Sequence, residues 1–166
     1  MKFHSNEELI AYFREHPKLK GFELIDCPEI TIVPPQPGSL IYLLVEDCPG
    51  IISVAGLSGS LTHLMLSNLS GLTNIGELPN SLTHLMRYNL SALTSVSPLP
   101  SKLTHFQVEH CPRITSVGRL PSSLRWLQFC NLPNLMRADL PGSLTNFVAH
   151  NCPRLRNVTA GQLATC

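Results

Sequence analysis

Residues 82–102 read LTHLMRYNLSALTSVSPLPSK, and residues 103–123 read LTHFQVEHCPRITSVGRLPSS. The two stretches have the same length, begin with the same three letters and place their apolar residues at the same positions. Self-similarity at a short fixed period is the signature of a repeat architecture, in which each unit packs on its neighbours. These two stretches therefore decide how the rest of the chain is divided.

The repeat extends over most of the 166 residues. Seven units each begin at a leucine; the first five are 21 residues long and the sixth is 20. The starting residues are Leu19, Leu40, Leu61, Leu82, Leu103, Leu124 and Leu144. Positions within a unit are counted from this leucine, and the consensus is L-T-H-L-x-V-x-N-C/L-P-x-L-T-S-V-x-x-L-P-x-S.

The spacing of the apolar residues predicts the local structure of each unit. Positions 4 and 6 alternate with polar residues, which predicts a short strand with one buried face. Positions 9, 12, 15 and 18 repeat every three residues, and prolines at positions 10 and 19 exclude a helix, so this part is predicted as extended or 3₁₀ backbone. One unit cannot bury its apolar residues alone, so the units are predicted to stack.

This pattern resembles the leucine-rich repeat family over residues 19 to about 163. The L-x-x-L-x-V-x-x-C/L-x-x-L core is similar to the cysteine-type variant, and the short LP.SL return is similar to repeats of secreted bacterial effectors and of amoebal proteins. The resemblance implies a leucine-rich repeat solenoid with a curved parallel β-sheet on its concave side and an extended or 3₁₀ convex side.

One feature departs from that family. The turn asparagine of the family falls at position 9, whereas this chain has Asn, Asp or, once, His110 at position 8. We expect these short polar side chains to hydrogen-bond the turn backbone between neighbouring coils, which is a structural role.

The chain is predicted to be a helical cap, residues 1–18, followed by one continuous domain of seven repeats, residues 19–166. Ser5 and Glu8 fit a capping box for a helix over residues 5–15, and Pro17 ends that helix. The last residues, TAGQLATC, are too short to cover the final coil. Two alternatives follow: the chain is cut from a longer protein, or the open end meets a partner, including a second copy of the chain.

Composition excludes several classes of partner. The net charge is +1 with no basic block, so binding of nucleic acid is not expected. The apolar runs are shorter than a membrane span, and Asn6, Glu7 and Glu8 interrupt the place of a signal-peptide core. We expect neither a membrane span nor a secretory signal.

Four of the six cysteines occupy position 9, which other units fill with leucine. They are Cys27, Cys48, Cys111 and Cys152. A position shared by Cys and Leu is a buried apolar one, so reduced thiols are predicted, in a reducing compartment: the cytoplasm, or that of a host cell if the protein is a secreted effector. The alternative is a bridge between Cys27 and Cys48 on adjacent coils.

Function is expected where the units differ and the side chains point outward, at positions 3, 5 and 7 of the strand. These positions hold an apolar and aromatic field around three histidines, and such exposed patches mark binding surfaces. The predicted partner-binding residues are Tyr42, Leu44, His63, Met65, His84, Met86, Tyr88, His105, Gln107, Trp126 and Gln128.

Metal binding and catalysis are weaker interpretations of the same surface. Three histidines in a straight row are splayed relative to a tetrahedral zinc site, so no metal or other cofactor is predicted. Glu109, Cys130 and His150 share position 7 on consecutive strands, but no pocket or oxyanion donor accompanies them, so the chain is not expected to be an enzyme.

Arg87 stands at position 6, where the other units have apolar residues. Because a buried unpaired arginine is costly, two placements are predicted. Either its stem snorkels out of the stack, or the fourth unit is shifted so that Arg87 joins the outward surface beside Tyr88.

The sequence therefore predicts a non-catalytic module that binds a protein partner through the concave sheet, in the manner of a bacterial effector. Two alternatives stay open. The chain is the substrate-recognition part of a ubiquitin ligase or another enzyme whose catalytic domain lies elsewhere, or it is a structural or designed solenoid with no natural partner.

Overall fold

A stack of parallel strands forms one side of the molecule in the computed structural model, which describes residues 1–54, 56–96 and 98–156. The chain winds as a parallel-sheet solenoid of about six turns with one N-terminal helix, at the predicted spacing of about 21 residues. The helix α1 covers Asn6–Glu15. The strands are β1 Gly21–Ile25, β2 Ile32–Val33, β3 Tyr42–Glu46, β4 Ser53–Val54, β5 His63–Ser67, β6 His84–Tyr88, β7 His105–Glu109, β8 Ser116–Arg119, β9 Trp126–Cys130, β10 Arg137–Asp139 and β11 Asn146–His150.

Among the described residues this winding gives three parallel sheets. The large one has seven strands in the order β1-β3-β5-β6-β7-β9-β11, and the returns contribute two small pairs, β2 with β4 and β8 with β10. No described helix has the length and apolar content that a membrane crossing requires.

Neighbouring strands pair in the register that the repeat predicts. Leu64 pairs with Leu85, and Leu85 pairs with Phe106, so each apolar residue lies on its counterpart in the next coil. The inward residues are almost completely buried; Leu85 and Cys111 are both 0% exposed. Trp126 and Met86 lie on the opposite side and are half-buried, which confirms the predicted assignment of inward and outward residues.

Each coil turns twice, and the sequence explains both corners. At the first corner the N–H of position 12 donates to the carbonyl of position 9, as Ile51 does to Cys48 over 3.1 Å. Proline at position 10 occupies the second residue of this β-turn, where its fixed φ is favoured. At the second corner the next unit's leucine donates to the carbonyl three residues earlier, as Leu82 does to Pro79 over 3.0 Å.

Position 8 leaves the strand in a left-handed conformation in all seven units, with φ between 49° and 54°. The residues are Asp26, Asp47, Asn68, Asn89, His110, Asn131 and Asn151. Asn and Asp tolerate this region better than other non-glycine residues, and His is also enriched there. This conformation accounts for the polar residue one position earlier than the family pattern.

The predicted partners of these side chains were wrong. They bond one another rather than the turn backbone: the Asn68 amide donates to the Asp47 carboxylate over 2.7 Å, and the Asn89 amide donates to the Asn68 oxygen over 2.9 Å. The left-handed corner turns each side chain outward, where it meets its counterpart on the next coil.

The N-terminal segment closes the first coil as predicted. The Ser5 hydroxyl accepts from the Glu8 N–H, and the helix ends at the residue before His16, which precedes Pro17. Asn6 receives the N–H of Thr31 over 3.1 Å and donates to the Thr31 hydroxyl over 2.8 Å, so it covers the edge of the first return segment. Lys2 pairs with Asp26 and continues the polar column of position 8.

The cysteines at position 9 lie in the core. Cys27, Cys48 and Cys111 are at most 1% exposed, Cys152 is half-buried, and all four are free thiols, so the alternative bridge is not formed. Burial raises the pKa of Cys48 to about 11. That thiol therefore stays protonated at neutral pH and packs as a small apolar group.

Both predicted placements of Arg87 were wrong. Its side chain is 0% exposed and lies in register between Leu66 and Val108. None of its guanidinium nitrogens has a hydrogen-bond partner among the described residues, although the guanidinium carbon lies 5.7 Å from the centre of the Phe106 ring. Because coils on both sides fix the register of β6, the stem has no route to water. Burial accordingly lowers the pKa of Arg87 to about 10.

Replacing Arg87 should therefore stabilise the protein. Methionine retains an unbranched stem but needs no solvation, so Arg87→Met is expected to raise the free energy of unfolding by about 1–4 kcal/mol. Denaturant unfolding followed by circular dichroism measures this. Arg113→Met, at an exposed position, is the matched control and should change stability by less than about 0.5 kcal/mol. A destabilised Arg87→Met protein would contradict an uncompensated buried charge.

Candidate partner-binding surface

The outward side chains of the seven-stranded sheet form three rows across the strands. We call this surface the sheet face and define it as positions 3, 5 and 7 of β1, β3, β5, β6, β7, β9 and β11. All eleven predicted partner-binding residues lie on it. Ten of them are exposed or half-buried. Leu44 is the exception at 8% exposure, because its neighbours cover it, so the sequence overestimated its accessibility.

Position 3 forms an aromatic row. The rings of His63 and His84 are stacked with their centres 4.2 Å apart, and those of His84 and His105 repeat the same distance. Trp126 continues the row 6.2 Å beyond His105, while Tyr42 pairs with His63 at the other end. Stacked in this way, the rings present their edges to solvent.

Threonines at position 2 hold each imidazole, which the sequence reasoning did not foresee. The Thr83 hydroxyl lies 3.1 Å from the carbonyl oxygen of Thr62 and 2.9 Å from Nδ1 of His84. The same two contacts occur at Thr62 with His63 and at Thr104 with His105. The unvarying T-H pair at the start of three successive units was the signal for it.

The threonine hydroxyls indicate which tautomer to expect in these rings. A carbonyl oxygen can only accept, so a threonine hydroxyl that donates to the preceding coil receives a hydrogen from the imidazole beside it. In that arrangement Nδ1 of the neutral imidazole carries the hydrogen and donates to the hydroxyl oxygen. We therefore expect the lone pair on Nε2, so that the neutral rings of His63, His84 and His105 present a row of hydrogen-bond acceptors.

The middle ring of the row resists protonation. Burial lowers the pKa of His84, and the neighbouring His63 and His105 lower it further. A second charge on a stack with 4.2 Å between ring centres is unfavourable. His84 is therefore a neutral acceptor at physiological pH.

Position 5 changes character along the sheet. Glu23 begins the row, Leu44, Met65 and Met86 form an apolar stretch, Gln107 and Gln128 follow as a polar pair, and Val148 ends it. Both glutamine amides donate to the same oxygen of Glu109, over 2.7 and 2.9 Å. The Glu109 carboxylate is thus held in place on the face, an interaction that the repeat pattern does not predict.

The two tyrosines of the face remain protonated donors. Burial raises the pKa of Tyr42, and Glu23 and Glu46 add to this shift. Burial also raises the pKa of Tyr88, with a further contribution from Glu109 and Cys130.

Glu109, Cys130 and His150 lie on adjacent strands, as their shared position predicted. Cys130 is only 7% exposed, however, and the Gln128 amide donates to its sulfur over 3.2 Å as well as to Glu109. The amide therefore stands between the carboxylate and the thiol. Within the described residues, no group of three or more potential ligands is arranged to hold a metal ion.

Comparison of the chain with protein-family models, with curated proteins and with solved structures found no match. The class that the fold defines is therefore the parallel-sheet repeat solenoid, and its site is described from its own geometry.

The tautomer of the histidine row is directly measurable. Nitrogen-15 NMR at pH 7.5 should show His63, His84 and His105 protonated on Nδ1 and unprotonated on Nε2. Thr83→Val removes the hydroxyl that holds His84, so this ring alone should shift toward the other tautomer. Protonation of Nε2 in the unsubstituted protein would contradict the hydrogen-bond assignment.

The histidine row should also make stability depend on pH. Because the pKa of folded His84 lies below that of the unfolded chain, the unfolded state takes up the proton first. Stability is expected to fall as the pH drops below about 6.5, the ordinary value for histidine. Melting temperatures at pH 7.5 and 5.5 test this, and His84→Gln should lose part of the difference. His4→Gln, at an exposed position in the cap, should retain all of it.

Proposed function

We propose that this chain is a non-catalytic interaction module that binds a protein partner through the sheet face. We further propose that the solenoid is of the leucine-rich repeat class, with the sheet face as its concave side. The single observation that carries the function is the composition of the face. Half-buried Met65, Met86 and Tyr88 lie on the adjacent strands β5 and β6, on the outward side of a sheet whose core is complete without them. Half-buried Trp126 lies on the same side two strands further along, on β9.

The apolar residues of the sheet face are not needed to stabilise the fold. The apolar residues of the inner side are already buried, so stability of the fold does not require methionine or tryptophan on the outer side. Contiguous apolar residues bordered by polar ones favour association with another protein. Trp and Tyr carry a large share of binding energy in such interfaces, and Met adapts to irregular partners.

The thiols support a proposal on location. Cys27 and Cys48 lie on adjacent coils, with the Cys27 N–H 3.4 Å from the Cys48 sulfur, and both are free. Close thiols that stay unbridged suit a reducing compartment, and we propose the cytoplasm, including that of a host cell if the protein is an effector.

The proposal is tested with variants matched by residue type. Partners cross-linked to the intact chain in a lysate are identified, and the affinity of the purified partner is measured for each variant. Trp126→Ala and Met86→Ala should each weaken binding by about tenfold or more, as expected for large aromatic and apolar side chains that anchor an interface. Circular dichroism verifies that both variants remain folded.

Met136→Ala is the control, because Met136 is 51% exposed and belongs to a return segment rather than to the sheet face. It should leave the affinity unchanged. If the sheet-face variants bind as well as the intact chain, or Met136→Ala weakens binding equally, the sheet face is not the binding surface.

A further inference from the structure

The charges of the sheet face are of one sign. Glu23, Glu46 and Glu109 stand at positions 5 and 7, and no lysine or arginine occupies positions 3, 5 or 7 of any of the seven strands. The adjoining rim at position 8 adds Asp47, whereas Asp26 in the same row is paired with Lys2. The chain as a whole carries a net charge of +1, so this acidity is a property of the face.

The cations nearest to the face do not neutralise it. Lys2 is paired with Asp26 in the cap, and Arg87 points into the core. Lys20 and Arg125 occupy position 2 near the two ends of the sheet, and Arg125 donates to the carbonyl of Ser143 over 2.8 Å. The central strands β5, β6 and β7 therefore combine carboxylate and neutral polar groups without a positive charge.

The hydrogen-bonding groups of the face, like its charges, favour a positively charged ligand. In the tautomer that donates from Nδ1 to a threonine hydroxyl, Nε2 of His63, His84 and His105 is a hydrogen-bond acceptor on the face. Glu46 and Glu109 add carboxylate acceptors on the same strands or the next ones. A surface rich in acceptors and negative charge is complementary to a ligand that brings donors and positive charge.

From this juxtaposition we infer that the segment bound by the sheet face is basic and rich in arginine, an inference that rests on the proposed function. Arginine fits better than lysine for a geometric reason. Its planar guanidinium presents five donors, binds carboxylates with two parallel hydrogen bonds and stacks on aromatic rings. Trp126 and the methionines of position 5 supply the apolar surface for the side-chain stems.

Mild acid should release such a segment. Protonation of one imidazole in the row turns its Nε2 acceptor into a charged donor, which repels a cation. The other titratable groups of the face are Glu23, Glu46 and Glu109, Tyr42, Tyr88, Cys130 and His150. Imidazole is the side chain whose ordinary pKa lies between pH 5.5 and 7.5, so the pH effect on binding is expected to depend on the histidines of the face.

The experiment uses hexa-arginine as the probe and the single tryptophan, Trp126, as the reporter. Hexa-arginine added to the full chain at pH 7.5 and moderate salt should change Trp126 fluorescence in a saturable way, and hexa-glutamate should not. At pH 5.5 hexa-arginine should bind about tenfold more weakly than at pH 7.5. Calorimetry provides a second measure of both affinities.

Two pairs of variants separate this site from general charge attraction. Glu46→Gln with Glu109→Gln should weaken hexa-arginine binding about tenfold, whereas Glu7→Gln with Glu15→Gln, an equal loss of charge on α1, should not. His84→Phe keeps a stacked ring but removes the acceptor, and it should reduce both the affinity and the pH effect. His4→Phe should change neither.

The inference is overturned if hexa-glutamate binds as tightly as hexa-arginine, if the two pairs of charge variants behave alike, or if binding is equal at both pH values. Its failure differs from failure of the proposed function. A captured partner that depends on Trp126 and Met86 but is not displaced by hexa-arginine leaves the interaction surface standing and removes only the basic segment.

Discussion

Backbone hydrogen bonds that pass from each coil to the next in an unchanging register hold this molecule together. The N–H of His84 donates to the carbonyl of Thr62, and the N–H of His105 donates to Thr83, each over 3.0 Å. Because every coil repeats the same bonds, each side chain lies on its counterpart about 4.8 Å away. Leucine columns then form the core, asparagine columns the corner and histidine columns the surface, all from one constraint.

The repeat period was enough to predict most of the fold and which residues form the sheet face, but not the contacts between them. The strand register, the inward leucines and the helix begun by Ser5 followed from the sequence, since each depends on local patterns and on stacking. The burial of Arg87 was not predicted, because the free-energy cost of burying an unpaired charge favours exposure. The register imposed by the neighbouring coils nevertheless buries it. The Thr83–His84 contact and the amides around Glu109 were missed for another reason: they depend on side-chain rotation, which no period encodes.

Because the coils stack in register, an outward side chain in one unit lies beside its counterparts in the neighbouring units. Three copies of one T-H pair become a stack of imidazoles with 4.2 Å between successive ring centres. The variation that remains, such as Trp126 at the end of that row, distinguishes one end of the surface from the other. The surface extends across seven strands, which suits an extended ligand better than a compact one.

The burial of Arg87 has a consequence for cooperativity. In a linear array each unit is stabilised by its two neighbours, so one poor unit near the middle divides the array into blocks that can lose order separately. The strand that carries Arg87 inward also carries His84, Met86 and Tyr88 outward. A partner bound across that strand would therefore couple the two blocks, and the array would unfold as one cooperative unit.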